Sequence, residues 1–140
     1  MTLRVVLDTN VLVSAIISDG KSRELLKKGI TNQYSILISD LILKELIVVL
    51  RRPKFKISED EIQRTILAAI RTADVVNVKT KIKAVKEDPK DDMIIETAID
   101  GGADIIVTGD NHLLALETFK GINVTTVEKM LAYLQGRENT

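Results

Sequence analysis

The sequence predicts an α/β fold: a three-layer α/β/α sandwich around a central parallel sheet of five strands. Two observations predict it. Short aliphatic runs at 3–7, 34–38, 74–78, 104–107 and 122–125 are too brief for helices and read as buried strands. Helix-forming segments with start and stop residues lie between them.

Taken in order, Leu3 to Leu7 is an apolar strand interrupted by Arg4 and ending in Asp8-Thr9-Asn10. A helix follows from about Val11 to Ile17, then a Ser-Asp-Gly-Lys turn and a second helix over Ser22 to Lys28. Tyr34 to Ile38 is the second strand. Ser39 or Asp40 caps a helix running to about Arg51, which Pro53 stops. Ser58-Glu59-Asp60-Glu61 is an acid-rich helix start, and Ile62, Ile66, Leu67 and Ile70 form its apolar stripe. Asp74 to Val78 is the third strand, and the lysine-rich stretch 79–86 a weak helix. Asp91 and Asp92 fit the start of the next helix, and Gly101-Gly102 its end. Ile105, Ile106 and Val107 form a buried strand that leaves through Thr108-Gly109-Asp110-Asn111 into another helix start. Ile122 to Thr125 is the last strand, Val127 to Leu134 the closing helix, and a frayed tail follows from about residue 135.

Composition narrows the function classes. The 140 residues form one domain, 1–140, and 45% hydrophobic against 3% aromatic content describes an aliphatic core. No apolar run exceeds the length of Leu46 to Leu50, so no membrane span is expected. The start of the chain has no signal-peptide pattern, which predicts a cytoplasmic protein. Zero cysteines exclude disulfides, thiol nucleophiles and cysteine-based zinc sites, and one histidine excludes any mechanism needing a histidine pair. The formal net charge is zero, so nucleic-acid binding has to come from local patches or bound cations.

The acids carry the chemistry. In a parallel sheet, ligands sit beyond the carboxyl ends of the strands, where the strand order reverses. Asp8 follows the first strand and Asp110 the fourth, while Asp92 begins the helix that feeds the fourth. Glu45 lies about two turns into the helix after the second strand, and helix side chains lean back toward the N-terminus. Four carboxylates from separate elements thus converge on one edge. Each alone reads as a helix cap or a solvated residue, but together they repel unless a cation joins them. Mg²⁺ or Mn²⁺ suits an all-oxygen shell, accepts phosphate oxygens and activates water for attack on phosphorus. The spacing back from Asp110 favours Asp92, and a one-residue shift of the helix start exchanges it with Asp91. Glu96, one turn beyond Asp92, is a candidate outer ligand. His112 reads as a surface residue, and Lys79, Lys81, Lys83 and Lys86 as solubilising charges. Arg51, Arg52, Lys54 and Lys56 are the better basic cluster for a nucleic-acid backbone, although no aromatic residues interleave them for base stacking.

Four stretches also resemble the PIN domain family. They are Leu-Asp-Thr-Asn-Val at 7–11, Glu45 within Leu-Lys-Glu-Leu, Asp-Pro-Lys-Asp-Asp at 88–92, and Ala-Asp-Ile-Ile-Val-Thr-Gly-Asp at 103–110. Each motif is short, but their order across residues 3–131 is fairly specific. Arg-Arg-Pro-Lys-Phe at 51–55 resembles a subgroup of toxins from toxin–antitoxin systems. The resemblance implies strand order 3-2-1-4-5 and metal-dependent ribonuclease activity, with Asp8, Glu45, Asp92 and Asp110 as the acidic quartet. It implies Thr108, Thr9 and Asn10 as supports for those acids or for a bridging water, and products with 5′-phosphate and 3′-hydroxyl ends. A small antitoxin protein and a homodimer are the implied partners.

Other classes fit less well. A receiver domain needs a phosphoacceptor Asp after the third strand and a Lys after the last, where this chain has Val-Asn-Val and Val-Thr-Thr-Val. A haloacid-dehalogenase-like phosphatase needs Asp at position 10, which is Asn. The stronger rival is a non-catalytic PIN-fold module that binds RNA or protein.

Overall fold

A strand whose interior is Val5, Val6 and Leu7 has to be covered on both faces, and β1 (Arg4–Leu7) lies inside the sheet with those three residues buried. The computed structural model describes residues 2–82 and 89–138. After β1 come α1 (Thr9–Ile17), α2 (Lys21–Ile30), β2 (Ser35–Ser39), α3 (Asp40–Leu50) and a 3₁₀ turn (Pro53–Phe55). Next are α4 (Glu59–Thr72), β3 (Asp74–Val76), α5 (Pro89–Asp100), β4 (Ile105–Val107) and α6 (Asn111–Leu114). The chain closes with β5 (Thr118–Phe119), β6 (Ile122–Thr125) and α7 (Val127–Glu138).

The sheet order is β3-β2-β1-β4-β6-β5, parallel except for the β5–β6 pair. The chain moves outward from β1 to β2 to β3, then jumps back across to β4. Crossovers between parallel strands are right-handed, so that reversal puts α5 on the face opposite the earlier helices. There α5 lies against β1, β2 and β4, while α2 packs on both α1 and α7 over the other face. The result is the expected three-layer sandwich. The expected order 3-2-1-4-5 is realised, with β6 as its fifth strand.

The sixth strand, β5, is a correction to the five expected. Lys120 and Gly121 have φ of 50° and 82°, the two positive values of a tight hairpin turn, and fold Thr118-Phe119 back onto β6. Two residues carry too little pattern to announce a strand. The lysine-rich stretch is the second correction: residues 79–82 are not helical. The side chain of Asp100 accepts hydrogen bonds from the Lys79 and Thr80 N–H groups (2.6 and 2.8 Å), and Glu96 accepts from the Ile82 N–H (3.0 Å). The backbone is thus satisfied by side chains of α5 and gains nothing from coiling. The remainder of that stretch, with Lys83, Lys86 and Asp88, lies outside the described residues. Helix α7 continues to Glu138 where the sequence predicted fraying from about 135, and β3 ends at Val76 rather than Val78. The stripe on α4 is only partly used. Ile62 is buried, but Leu67 and Ile70 are exposed because α4 packs on α3 rather than on the sheet.

Two backbone features set the frame. Gly102 has φ of 63°, and the N–H groups of Gly102 and Ala103 return to the carbonyls of Ile99 and Ala98, closing α5 in a Schellman turn that aims the chain into β4. Arg4 ties down the amino edge of the sheet. Its backbone N–H donates to Asp104, its Nε to the Gly101 carbonyl and its Nη1 to Asp74.

Gly29, in the last turn of α2, gives a stability prediction. An added Cβ there would lie 2.6 Å from Ile36 Cγ1 and 2.8 Å from the Tyr34 ring, both buried residues. Glycine to alanine inside a helix ordinarily stabilises by about 1 kcal/mol. Here overpacking should outweigh that gain, so Gly29→Ala is expected to lose about 1–2 kcal/mol in urea unfolding. Equal or greater stability would show that α2 can move off β2 at no cost.

Candidate active site

The register of β1 and β4 decides how the acids meet. Leu7 is opposite Val107, so the next residues, Asp8 and Thr108, leave the sheet side by side. The Asp8 N–H donates to the Val107 carbonyl at 2.9 Å, and the Thr108 hydroxyl donates to Asp8 Oδ2 at 2.6 Å. That same hydroxyl oxygen accepts from the Asp110 N–H at 3.0 Å. One buried threonine thereby holds the Asp8 carboxylate and the backbone of Asp110, residues that follow different strands. Each acid also begins a helix. Asp8 accepts from the Asn10 N–H (3.4 Å) at the start of α1, and Asp110 from the His112 and Leu113 N–H groups (2.8 and 3.3 Å) at the start of α6.

The other acids come from two helices joined to each other. Ser39 caps α3 through the Ile42 N–H and shares a buried 2.7 Å hydrogen bond with Thr97 of α5. This sets the helix bearing Glu45 against the helix bearing Asp91 and Asp92.

The outcome is a cleft of about 250 Å³ at the carboxyl edge, lined by Asp8, Thr9, Asn10, Glu45, Asp91, Arg52 and Asp110, with Val49 and Met93. Of the predicted quartet, Asp8, Glu45 and Asp110 line it. So does Asp91, whereas Asp92 is buried but does not line this cleft. Asp91, Asp110 and His112 each offer a ligand atom, and these atoms lie within 4.8 Å of one another. Asp8 is 6% exposed, and burial, with a smaller push from Asp110, raises its carboxyl above the ordinary range against the hydrogen bonds that lower it. Thr9 also lines the cleft, and its buried hydroxyl has no hydrogen-bond partner among the described residues. Buried acids, a hydroxyl awaiting a partner and a hard-oxygen donor set fit a divalent cation.

The remaining predicted residues are dispersed. Asn10 is an exposed part of the cleft wall. Arg52 reaches the cleft, but Arg51 pairs with Glu59 (2.6 and 3.3 Å) and Lys54 lies over the Phe55 ring. Glu96 is engaged by the Ile82 N–H. Sequence reasoning left His112 on the surface. It is exposed, yet the Asp-Asn-His spacing off β4 turns it back toward the acids.

The comparisons with known proteins agree with the fold. The profile of the PIN domain matches residues 4–112, and the chain belongs to the PIN domain family. No curated protein sequence matches it. Among solved structures, it resembles a chain of the VapBC2 complex from Rickettsia felis bound to a promoter DNA fragment. That likeness has a TM-score of 0.62 at 17% identity, covering 89% of this chain and 98% of the other. A chain of the DNA-bound VapBC complex from Salmonella typhimurium gives 0.55 at 22%, covering 90% and 99%. PAE2754 from Pyrobaculum aerophilum gives 0.57 at 18%, covering 96% and 90%. At these identities the likeness establishes the fold. Among the described residues, no helix is long and apolar enough to cross a membrane.

The raised Asp8 carboxyl generates a prediction for the cation-free protein. The folded state holds this proton more tightly than the unfolded chain, so stability falls as pH rises from the ordinary carboxylate value, 3.8, through the folded value. Asp8→Asn removes the charge and keeps one acceptor oxygen for the cap, at the cost of the Thr108 bond to the second oxygen. It is expected to raise the urea midpoint at pH 7, with the gain vanishing below about pH 4. A loss of stability at pH 7 would mean that the charged cap outweighs the burial cost.

Proposed function

We propose that this chain is a divalent-cation-dependent endoribonuclease that hydrolyses RNA phosphodiester bonds, acting in the cytoplasm as the toxin of a toxin–antitoxin pair. The observation that carries the reading is the convergence of Asp8, Glu45, Asp91 and Asp110, from four separate elements, on one cleft. We assign the third acid to Asp91 rather than Asp92 because Asp91 lines that cleft. Asp8, Asp91 and Asp110 would hold Mg²⁺ or Mn²⁺, and Glu45 lines the same cleft. Such an ion, when bound, neutralises charge on the phosphate and lowers the pKa of water.

The chain's own groups do the rest. The Thr108 hydroxyl holds Asp8 and Asp110 in place, so little reorganisation is needed when substrate arrives. Arg52, the basic residue lining the cleft, offers a guanidinium to the RNA phosphate. Thr9 and Asn10, beside Asp8, supply a hydroxyl and an amide for an ordered water or the ribose. One histidine and no cysteine leave no imidazole pair to drive the 2′-hydroxyl, so water is the nucleophile. The likeness to the PIN family implies that water displaces the 3′-oxygen, leaving 5′-phosphate and 3′-hydroxyl ends.

The partner assignments follow from fold and surface. The solved VapBC complexes support a small antitoxin as the protein partner. Val48 on α3 and Leu67 and Ile70 on α4, 60%, 52% and 44% exposed, are apolar side chains that a homodimer or antitoxin contact would cover.

Labelled single-stranded RNA incubated with Mn²⁺ tests the reading. Cleavage should stop in EDTA and yield 5′-phosphate ends. Asp91→Asn should lower turnover on the order of a hundred-fold or more. Asp92→Asn should retain most of it. Cyclic 2′,3′-phosphate ends, or activity that persists in EDTA, would overturn the mechanism. RNA binding without cleavage in any divalent cation would favour a non-catalytic PIN module instead.

A further inference from the structure

We propose that His112 is a nitrogen ligand of the cation site, giving the site a preference for Mn²⁺ and other transition-metal ions over Mg²⁺; this deepens the metal-dependent reading above and rests on it. Ligand atoms of Asp91, Asp110 and His112 lie within 4.8 Å of one another. Ligands about 2 Å from an ion stand about 3 Å apart when adjacent, so a small closing movement brings all three onto one ion. Local geometry supports this. The His112 N–H donates to Asp110 Oδ1 at 2.8 Å, which anchors the residue, while its ring Nδ1 stands 3.7 Å from that oxygen. The ring separation is too long for a hydrogen bond. Asp91 is buried, Asp110 half-buried and His112 exposed, and the first two line the cleft, so His112 would close the donor set from the solvent side. Thr9, which also lines the cleft, carries a buried hydroxyl with no hydrogen-bond partner among the described residues.

The donor set decides the ion. Mg²⁺ is hard, prefers oxygen and keeps several of its waters, whereas imidazole favours transition-metal ions. Replacing one oxygen or water by a histidine nitrogen therefore tilts the site toward Mn²⁺.

His112 is the only histidine in the chain, so ¹⁵N-histidine in tag-free protein marks a single ring. Pulsed electron paramagnetic resonance of the Mn²⁺-loaded protein should show a directly coupled nitrogen whose signal changes from ¹⁴N to ¹⁵N with the label. His112→Gln should abolish that coupling and weaken Mn²⁺ binding by calorimetry about ten-fold or more, the loss that even an outer-shell partner causes. Mg²⁺ affinity should change far less. Mn²⁺ bound in the wild type without histidine coupling would overturn the proposal and leave the carboxylate site standing. No Mn²⁺ binding at all would overturn both. The labelled wild type decides the matter even if the variant folds poorly.

Discussion

The Thr108 hydroxyl is the contact on which the site depends. It donates to Asp8 and accepts from the Asp110 N–H, so a single buried oxygen couples the ends of two parallel strands. The contact exists only because β1 and β4 are neighbours in a register that sets Leu7 beside Val107. Those strands are distant in sequence, and the reversal of strand order at β1 is what brings them together. Everything chemical in the cleft follows from that junction. Shifting the register by one residue would turn Asp8 to the other face and leave Thr108 facing nothing.

Stability and chemistry are divided between the two edges of the sheet. At the amino edge, Arg4 joins β1 to Asp104, Gly101 and Asp74. At the carboxyl edge, acids crowd a cleft in which burial works against the charge on Asp8. A protein selected for stability alone would not place them there. The aliphatic core offsets the cost, with Val5, Val6, Ile106 and Val107 fully buried beneath the acids. The buried Ser39–Thr97 bond adds stiffness between the helices carrying Glu45 and Asp91. Preorganisation of this kind is what a charge-stabilising site needs, because the donors are already aimed before substrate arrives.

Most of the fold was legible because the central strands are nearly pure aliphatic runs bounded by Gly, Asp and Ser. Such runs permit little other than a buried parallel sheet. The edges were less so. β5 is only two residues long, and the extended course of residues 79–82 is set by Asp100 and Glu96, partners about fourteen to twenty-one positions away. No local pattern encodes either. In the site, Asp8 and Asp110 could be placed from strand ends, and Glu45 from its depth in the helix after the second strand. Asp91 and Asp92 could not be separated, because neighbouring residues on a helix differ by about 100° in direction. Only the seating of α5 shows which of the two lines the cleft. His112 was passed over for a similar reason: an exposed histidine at a helix start has no sequence mark that sets it near a carboxylate from another helix.

The central claim is that the carboxyl-edge cleft holds a divalent cation between acids from separate elements. Anomalous diffraction from crystals grown with Mn²⁺ tests it most directly. The account predicts a manganese peak in the cleft, with oxygens of Asp8, Asp91 and Asp110 at about 2 Å. A cleft without a peak at saturating Mn²⁺, or an ion held elsewhere while Asp8 stays bound only to Thr108 and Asn10, would contradict it.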